Sequence, residues 1–320
     1  MHENYMFSVP EKKKIRVIVH TDCKNEADDQ FALVHHLLTP KFIVRGIIAA
    51  HFEARSDMGE GRSMLMSYEE IQKILNLMGL EGKYGVYKGA EKALNYSQGE
   101  ELESYKLKDL LDVIDPKISE GAEFIIKEAL KDDERPLYIA CLGSLTDIAS
   151  AFLIEPGIAE KITVIWIGGN AYPVGGFEFN LLQDIPAANL VFASDIPLWQ
   201  IPSNAYKKIR VSLAELQCRV QPYGDIGKYL FEQMVQFNNQ HGDNLVWPHG
   251  ESWELGDQAT ISVLLNFHEH DWEWSPAPLF SRDMYYLHRE DNRPIRIYNN
   301  IDTRLTMEDF YCKLKINFSN

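Results

Sequence analysis

The segment Ile15–Leu38, IRVIVHTDCKNEADDQFALVHHLL, constrains this chain more than any other. A run of β-branched residues ends in Asp22, and the pair Asp28-Asp29 then opens an amphipathic run. That order predicts strand, loop and helix, with three carboxylates gathered at the strand's carboxyl end. Ligands of open α/β sheets bind at that edge. Three carboxylates so close in sequence repel one another unless something positive lies between them. A hard divalent cation with oxygen ligands meets that need.

The rest of the chain repeats the strand–helix rhythm. Strands are expected at Ile15–His20, Phe42–Ala50, Leu137–Leu142, Ile162–Gly168 and Ile196–Ile201, and helices at Ala27–Leu38, Ser63–Leu80, Ala122–Lys131, Leu145–Ile154 and Ile185–Ala193. The strands are almost continuously apolar, as a sheet covered on both faces requires. The reading is α/β, an open and mainly parallel Rossmann-like sheet with helices on both faces. Beyond Val211 the periodicity turns helical over Leu213–Val220, Ile226–Asn239 and Leu255–Phe267. The aromatic-rich last 50 residues read as mixed β and loop. No repeat, low-complexity tract or linker divides the chain. One domain over 1–320 is expected, with a core of about 15–267 and a C-terminal elaboration over 268–320.

Composition narrows the function. The 320 residues carry 32 basic and 47 acidic side chains, a net charge of −15. Nucleic-acid polymers are bound through Lys and Arg, so that partner is disfavoured and a small molecule favoured. No run approaches the roughly 20 apolar residues of a membrane span. The N-terminus lacks the apolar core of a signal peptide, so the chain reads as cytoplasmic, or as exported if a leader has been removed. Cys23, Cys141, Cys218 and Cys312 have no metal-type spacing and read as free thiols. Although Cys23 sits in the acidic loop, its thiolate is too soft for a carboxylate-rich site.

Several motifs are missing. No G-x-G-x-x-G follows the first strand, and no phosphate-cradling G-x-x-x-x-G-K-[ST] or zinc-type H-E-x-x-H occurs. Ser144 lies outside a G-x-S-x-G elbow and reads as an N-cap for the next helix. His268-Glu269-His270 reads as a polar helix end.

Four segments supply oxygen ligands at predicted strand ends or helix starts. The first is the acidic loop. The second is Ala140–Asp147, where a strand breaks at Gly143 and frees a backbone carbonyl. The third is a Gly-rich loop running from Gly168-Gly169-Asn170 to Glu178-Phe179-Asn180, and the fourth is Trp253–Ala259, with Asp257 beside a helix start.

In this order the segments resemble the nucleoside hydrolase superfamily, whose pieces are D-T-D-x-G-x-D-D, L-T-N, E-F-N and a late Asp. Here they read His20-Thr21-Asp22, Asp28-Asp29, Leu142–Asp147, Glu178-Phe179-Asn180 and Asp257. The form T-D-x-x-N-E-x-D-D is closer to a divergent, DUF1593-like branch. The resemblance implies a Ca²⁺-dependent hydrolase of the N-glycosidic bond of a ribonucleoside or related small glycoside. Asp22, Asp29, Asp257 and the Leu142 carbonyl would hold the cation, and Asp22 would be general base for a metal-bound water. Asp28, Asn180 and Glu178 would hold sugar hydroxyls. Asn25, Asn170 and Trp253 join them as substrate-binding candidates, with Trp247 and His249 near the leaving group. A homodimer or homotetramer is compatible with this reading. The alternatives are an O-glycoside hydrolase, or a catalytically silent sugar- or nucleoside-binding protein, on the same scaffold.

The chain departs from the family pattern at several points. Asn25-Glu26 lengthens the acidic loop. His20 replaces the first Asp. Gly256 stands where many pyrimidine-accepting members have a His, so the leaving-group acid is absent or comes from elsewhere.

Overall fold

The structure is a computed structural model that describes residues 4–54, 59–96, 107–111, 114–244, 249–266, 268 and 271–319. Its spine is an eight-stranded sheet. We number its strands, together with a small outlying pair, in chain order. They are β1 (Ile15–Thr21), β2 (Phe42–Ala49), β3 (Val86–Lys88), β4 (Leu137–Cys141), β5 (Ile162–Ile167), β6 (Leu198–Ile201), β7 (Arg210–Ser212), β8 (Ser252–Glu254), β9 (Trp272–Pro276) and β10 (Pro294–Tyr298). The sheet order is β9-β10-β6-β5-β4-β1-β2-β3, while β7 and β8 pair separately. Every pairing in the sheet is parallel except β9 with β10.

This order contains a switch point. From β1 the chain winds outward through β2 and β3, then returns to β4 on the other side of β1. His20 pairs with Cys141 in the β1–β4 register, so Asp22 and Leu142 leave the sheet side by side. A crevice opens where successive crossovers diverge in this way.

Both faces are covered. On β1, Val17 and Val19 enter a core built with Phe31, Ile71, Ile226, Ile261 and Phe310. Ile18 enters the opposite core with Ile125, Ile148 and Leu190. Full burial of such side chains contributes ~1.5–3 kcal/mol each. The helices carrying them are α1 (Asp29–Leu38), α2 (Ser63–Leu77), α3 (Glu120–Ala129), α4 (Thr146–Ile154), α5 (Phe179–Gln183), α6 (Ile185–Ala193), α7 (Leu213–Arg219), α8 (Gly224–His241), α9 (Gln258–Leu265) and α10 (Thr303–Phe318). No helix among the described residues is long and apolar enough to cross a membrane.

Most expected elements appear within a few residues of their predicted ends, and three features differ. The last 50 residues are not mixed β and loop alone. They hold the 16-residue α10, capped by Asp302 on the Leu305 amide, and β10, which joins the main sheet. Ser144 is not a helix cap: Leu145 occupies that position without a side-chain bond, and Ser144 Oγ meets His51 Nε2 at 3.3 Å. Glu178 and Asn180 are not a loop pair, because Glu178 caps α5 and Asn180 lies in its first turn. Phe267, Glu269, His270 and Trp247 lie outside the described residues.

His20 finds its partner across the β1–β4 junction. Its Nε2 lies 2.9 Å from Asp147 Oδ2, and both side chains are fully buried. Asp147 also accepts from the Ala90 amide at 2.9 Å and from Ser119 Oγ at 2.6 Å. Burial raises the Asp147 carboxyl, but the His20 contact and these hydrogen bonds outweigh it and hold the group below its ordinary value. One carboxylate thus ties β1, the β3 exit and the start of α3 beneath the switch point. Asp147→Ala would strand all three donors and should lower unfolding free energy by about 3–5 kcal/mol. Denaturant titration measures this, and a loss under about 1 kcal/mol would contradict the assignment.

Candidate active site

The acidic loop folds back on its first residue. The amides of Lys24 and Asn25 donate to the Asp22 carbonyl at 2.6 and 2.9 Å, and Asn25 Nδ2 donates to Asp22 Oδ2 at 3.0 Å. Thr21 Oγ1 donates to Asp29 Oδ1. Each carboxylate therefore has one oxygen fixed. The other oxygen of each, Asp22 Oδ1 and Asp29 Oδ2, is buried without a hydrogen-bond partner. Such atoms cost about 1–3 kcal/mol or more unless something fills the gap.

Two helix starts bring the remaining carboxylates in. Asp28 is the N-cap of α1 and Asp257 the N-cap of α9. The Asp257 amide approaches Asp28 Oδ2 at 3.4 Å. Ligand atoms of Asp28, Asp29 and Asp257 lie within 4.8 Å of one another, all three residues being buried. Asp22 borders this trio, its carboxyl close enough to that of Asp29 for the two charges to repel. Gly143 lets the neighbouring backbone close in, since a Cβ there would lie 2.8 Å from Asp22 Oδ1.

The electrostatics follow from that packing. Burial, reinforced by the neighbouring carboxylates, pushes Asp22 and Asp257 well above the ordinary range and Asp28 up to about 8. Burial also lifts Asp29, to about 6, against the hydrogen bond from Thr21. Hard oxygen donors, mutual repulsion and two unpartnered oxygens together fit a divalent cation.

Beside the cluster lies a cavity of about 320 Å³, lined in part by Asn25, Asp28, Leu142, Asn170, Glu178, Asn180, Trp253 and Asp257. That volume suits a small ligand. Asp22 and Asp29 sit behind this lining. Glu178 is held firmly: its carboxylate accepts from the amides of Gly169 and Leu181, each at 2.9 Å, and from Tyr206 Oη at 3.2 Å. Asn180 Nδ2 donates to the carbonyls of Leu142 at 2.6 Å and Ile167 at 2.9 Å. That fixes the amide and leaves Oδ1 for a ligand. The Leu142 carbonyl thus already serves Asn180, with one lone pair remaining. Asn170 Oδ1 is engaged by Ser203 Oγ and the Ala171 amide. Trp253 lines the cavity but is buried, with its indole edge-on to Phe237 at 5.8 Å.

The expected site residues therefore gather at one place. His249 is exposed and does not line the cavity. Sequence reasoning missed Glu26, Phe177, Ser203, Tyr206, Lys207 and Glu254, which also line the cavity. Ser203 and Tyr206 follow directly from the end of β6, so the parallel-strand rule pointed toward them. Tyr206 sits where position 256 would project: a Cβ on Gly256 would lie 2.7 Å from Tyr206 Cδ2.

Comparison with known proteins agrees with this architecture. The family model described as inosine-uridine preferring nucleoside hydrolase matches residues 17–307. Pyrimidine-specific ribonucleoside hydrolase RihA of Salmonella paratyphi A is 27% identical over 154 residues, covering 47% of this chain and 49% of that protein. Pyrimidine-specific ribonucleoside hydrolase RihB of Escherichia coli O17:K52:H18 is 29% identical over 121 residues, covering 37% of this chain and 38% of that protein. The chain thus spans about half the length, or less, of these curated relatives. A purine-preferring ribonucleoside hydrolase from Gardnerella vaginalis superposes with a TM-score of 0.71 at 17% identity, covering 94% of this chain and 99% of that one. A plant nucleoside hydrolase superposes with a TM-score of 0.69 at 16% identity, covering 94% and 98%. At such identities the likeness is one of fold.

The raised carboxyls give a signed pH prediction. Folded values above the unfolded ~4 mean that the metal-free native state binds more protons than the unfolded state between about pH 4 and 8. Stability conferred by the protonated cluster is present below that window and lost as pH rises through it. With chelator present, unfolding free energy should fall from pH 4 to 8, and Asp28→Asn should flatten the decline. A metal-free protein whose stability rises across that window, with Asp28→Asn making no difference, would refute the electrostatics.

Proposed function

This chain belongs to the inosine-uridine preferring nucleoside hydrolase family, and on that premise we propose that it hydrolyses the N-glycosidic bond of a ribonucleoside or related small riboside with the help of Ca²⁺. The observation that carries this reading is the pair of unpartnered, buried oxygens on Asp22 and Asp29, set beside Asp257 and a cavity of ligand size. Asp22, Asp29 and Asp257, with the free lone pair of the Leu142 carbonyl, would hold the cation. When bound, the cation supplies positive charge that makes water a better nucleophile at neutral pH.

The chain's own residues do the rest. Asp22 accepts the proton of the attacking water, its carboxylate oriented by Asn25 through Oδ2. Glu178 and Asn180 hold sugar hydroxyls, and both are pre-set by bonds to backbone and Tyr206 rather than by the ligand. Asp28 lies where cation and sugar meet. As the glycosidic bond stretches, positive charge develops on the sugar, and the surrounding carboxylates stabilise it. Asn170 and Trp253 complete the enclosure of the substrate.

Inosine, uridine and 4-nitrophenyl riboside, each assayed with and without chelator, test this reading. Release of ribose should disappear with chelator and return with Ca²⁺. Asp22→Asn should lower kcat by at least about a hundredfold, as expected for a missing general base, while the far-ultraviolet spectrum stays native. Wild-type rates in Asp22→Asn would remove that residue from the chemistry. Tight ligand binding without turnover would favour a silent binding protein.

A further inference from the structure

Two adjacent histidines, His35 and His36, interrupt the apolar run of α1. Both are fully buried, and neither lines the cavity. His35 Nδ1 meets Gln258 Oε1 at 2.6 Å, and its Nε2 donates to Asp309 Oδ2 at 2.9 Å. Asp309 is held in turn by Lys313, whose Nζ also donates to Thr39 Oγ1 at 2.9 Å. One imidazole thus joins α1 to the first residue of α9 and to α10. Asp309 and Lys313 lie past residue 307, where the family match ends. His36 adds a weaker link. Its Nδ1 donates to the Ala32 carbonyl at 2.8 Å, which leaves Nε2 facing Thr260 Oγ1 at 3.5 Å. That hydroxyl donates to the Asp257 carbonyl at 3.0 Å.

The place of this junction matters because of what the two helices carry. α1 begins at Asp29 with Asp28 as its cap, and α9 begins at Gln258 with Asp257 as its cap. Ligand atoms of the three carboxylates lie within 4.8 Å of one another. Like charges at that range repel, which drives the two helix starts apart. The Asp257 amide reaches Asp28 Oδ2 only at 3.4 Å, a long bond and a weak counterweight. His35 lies about 9 Å along α1 from Asp29, at 1.5 Å per residue, with its ring packed on Phe310 at 5.4 Å. Among the described residues, His35 is what fixes the Gln258 amide group, since Gln258 Nε2 is buried without a partner. The bridge therefore sets how closely the two carboxylate-bearing helix starts approach. A site whose ligands are already gathered binds more tightly than one that must gather them.

We propose, resting on the Ca²⁺ reading above, that His35 is a positioning residue for the cation site. Through Gln258 it holds Asp257 against Asp29, while Asp309 and Lys313 anchor its ring from α10. It touches neither the substrate cavity nor the proposed ligands. Its effect therefore falls on affinity for the ion and not on the bond-breaking step.

Calorimetric titration of the full chain with Ca²⁺ tests this. His35→Gln keeps an amide near the Nε2 position for Asp309 and gives up the contact to Gln258. Gln258→Met gives up the same contact from the other side. Each should raise the Ca²⁺ Kd about tenfold, the scale of one hydrogen bond, and the double variant should bind no more weakly than either single one. His35→Asn keeps an amide near the Nδ1 position for Gln258 and should stay within about threefold of wild type. At saturating Ca²⁺, kcat for 4-nitrophenyl riboside should stay within about twofold of wild type in all three single variants. A merely structural role would lower their melting temperatures without separating their Ca²⁺ affinities. Should His35→Gln fail to fold, Gln258→Met carries the test by itself. A wild-type Kd in the folded His35→Gln and Gln258→Met variants would overturn this proposal and leave the Ca²⁺ reading in place. A wild-type protein that takes up no Ca²⁺ would bring down both.

Discussion

Repulsion among buried carboxylates governs this molecule. Asp22, Asp28, Asp29 and Asp257 converge at the switch point of the sheet, where little water reaches them. Asp28 and Asp257 sit at the positive ends of α1 and α9, but a helix terminus offsets only ~0.3–1 kcal/mol per charge. Burial and repulsion that lift the Asp28 carboxyl to about 8 correspond to a penalty on the order of 5 kcal/mol. The helix ends therefore cannot balance the cluster, whereas an ion of charge two can. The elements around the crevice gather the groups proposed to hold that ion. β1 delivers Asp22, two helix starts deliver Asp28 and Asp257, and Gly143 allows the backbone to approach.

The same logic explains the rigidity of the side proposed to hold the sugar. Glu178 and Asn180 are fixed by backbone amides and carbonyls of three different segments before any ligand arrives. Positioning a ligand against groups that are already ordered avoids the entropic cost of ordering them on binding. His20 and Asp147 brace the floor from the opposite face of the sheet. Both depart from the family motif, which has Asp and Asn in their places, and the structure places them in contact. Two departures that would each look like a defect in the sequence thus form one buried pair.

Much of this was legible in the sequence, for physical reasons. Asp22 and Asp28-Asp29 flank a change of period from strand to helix, which fixes them at a strand's carboxyl end. Leu142 and Asp257 stand at similar breaks next to glycine. What was not legible depended on which segments meet. Glu178 read as a loop residue because its capping partners, the Asn180 and Leu181 amides, became visible only once α5 was seen. Tyr206 carries no motif, and its importance comes from the empty space at Gly256, across the cavity wall. Ser144 looked like a helix cap, yet its hydroxyl is taken by His51 and Thr146. The helix α10 hid among aromatic residues, although Met307, Phe310, Tyr311 and Leu314 bury one stripe at helical spacing.

The most direct test of the account is a crystal structure grown with Ca²⁺ at atomic detail around Asp22. A single peak should appear, bound by oxygens of Asp22, Asp29 and Asp257 at roughly 2.3–2.6 Å, with six to eight oxygens in all. Density containing no ion among those side chains, or Asp257 turned beyond coordination distance of Asp29, would contradict it.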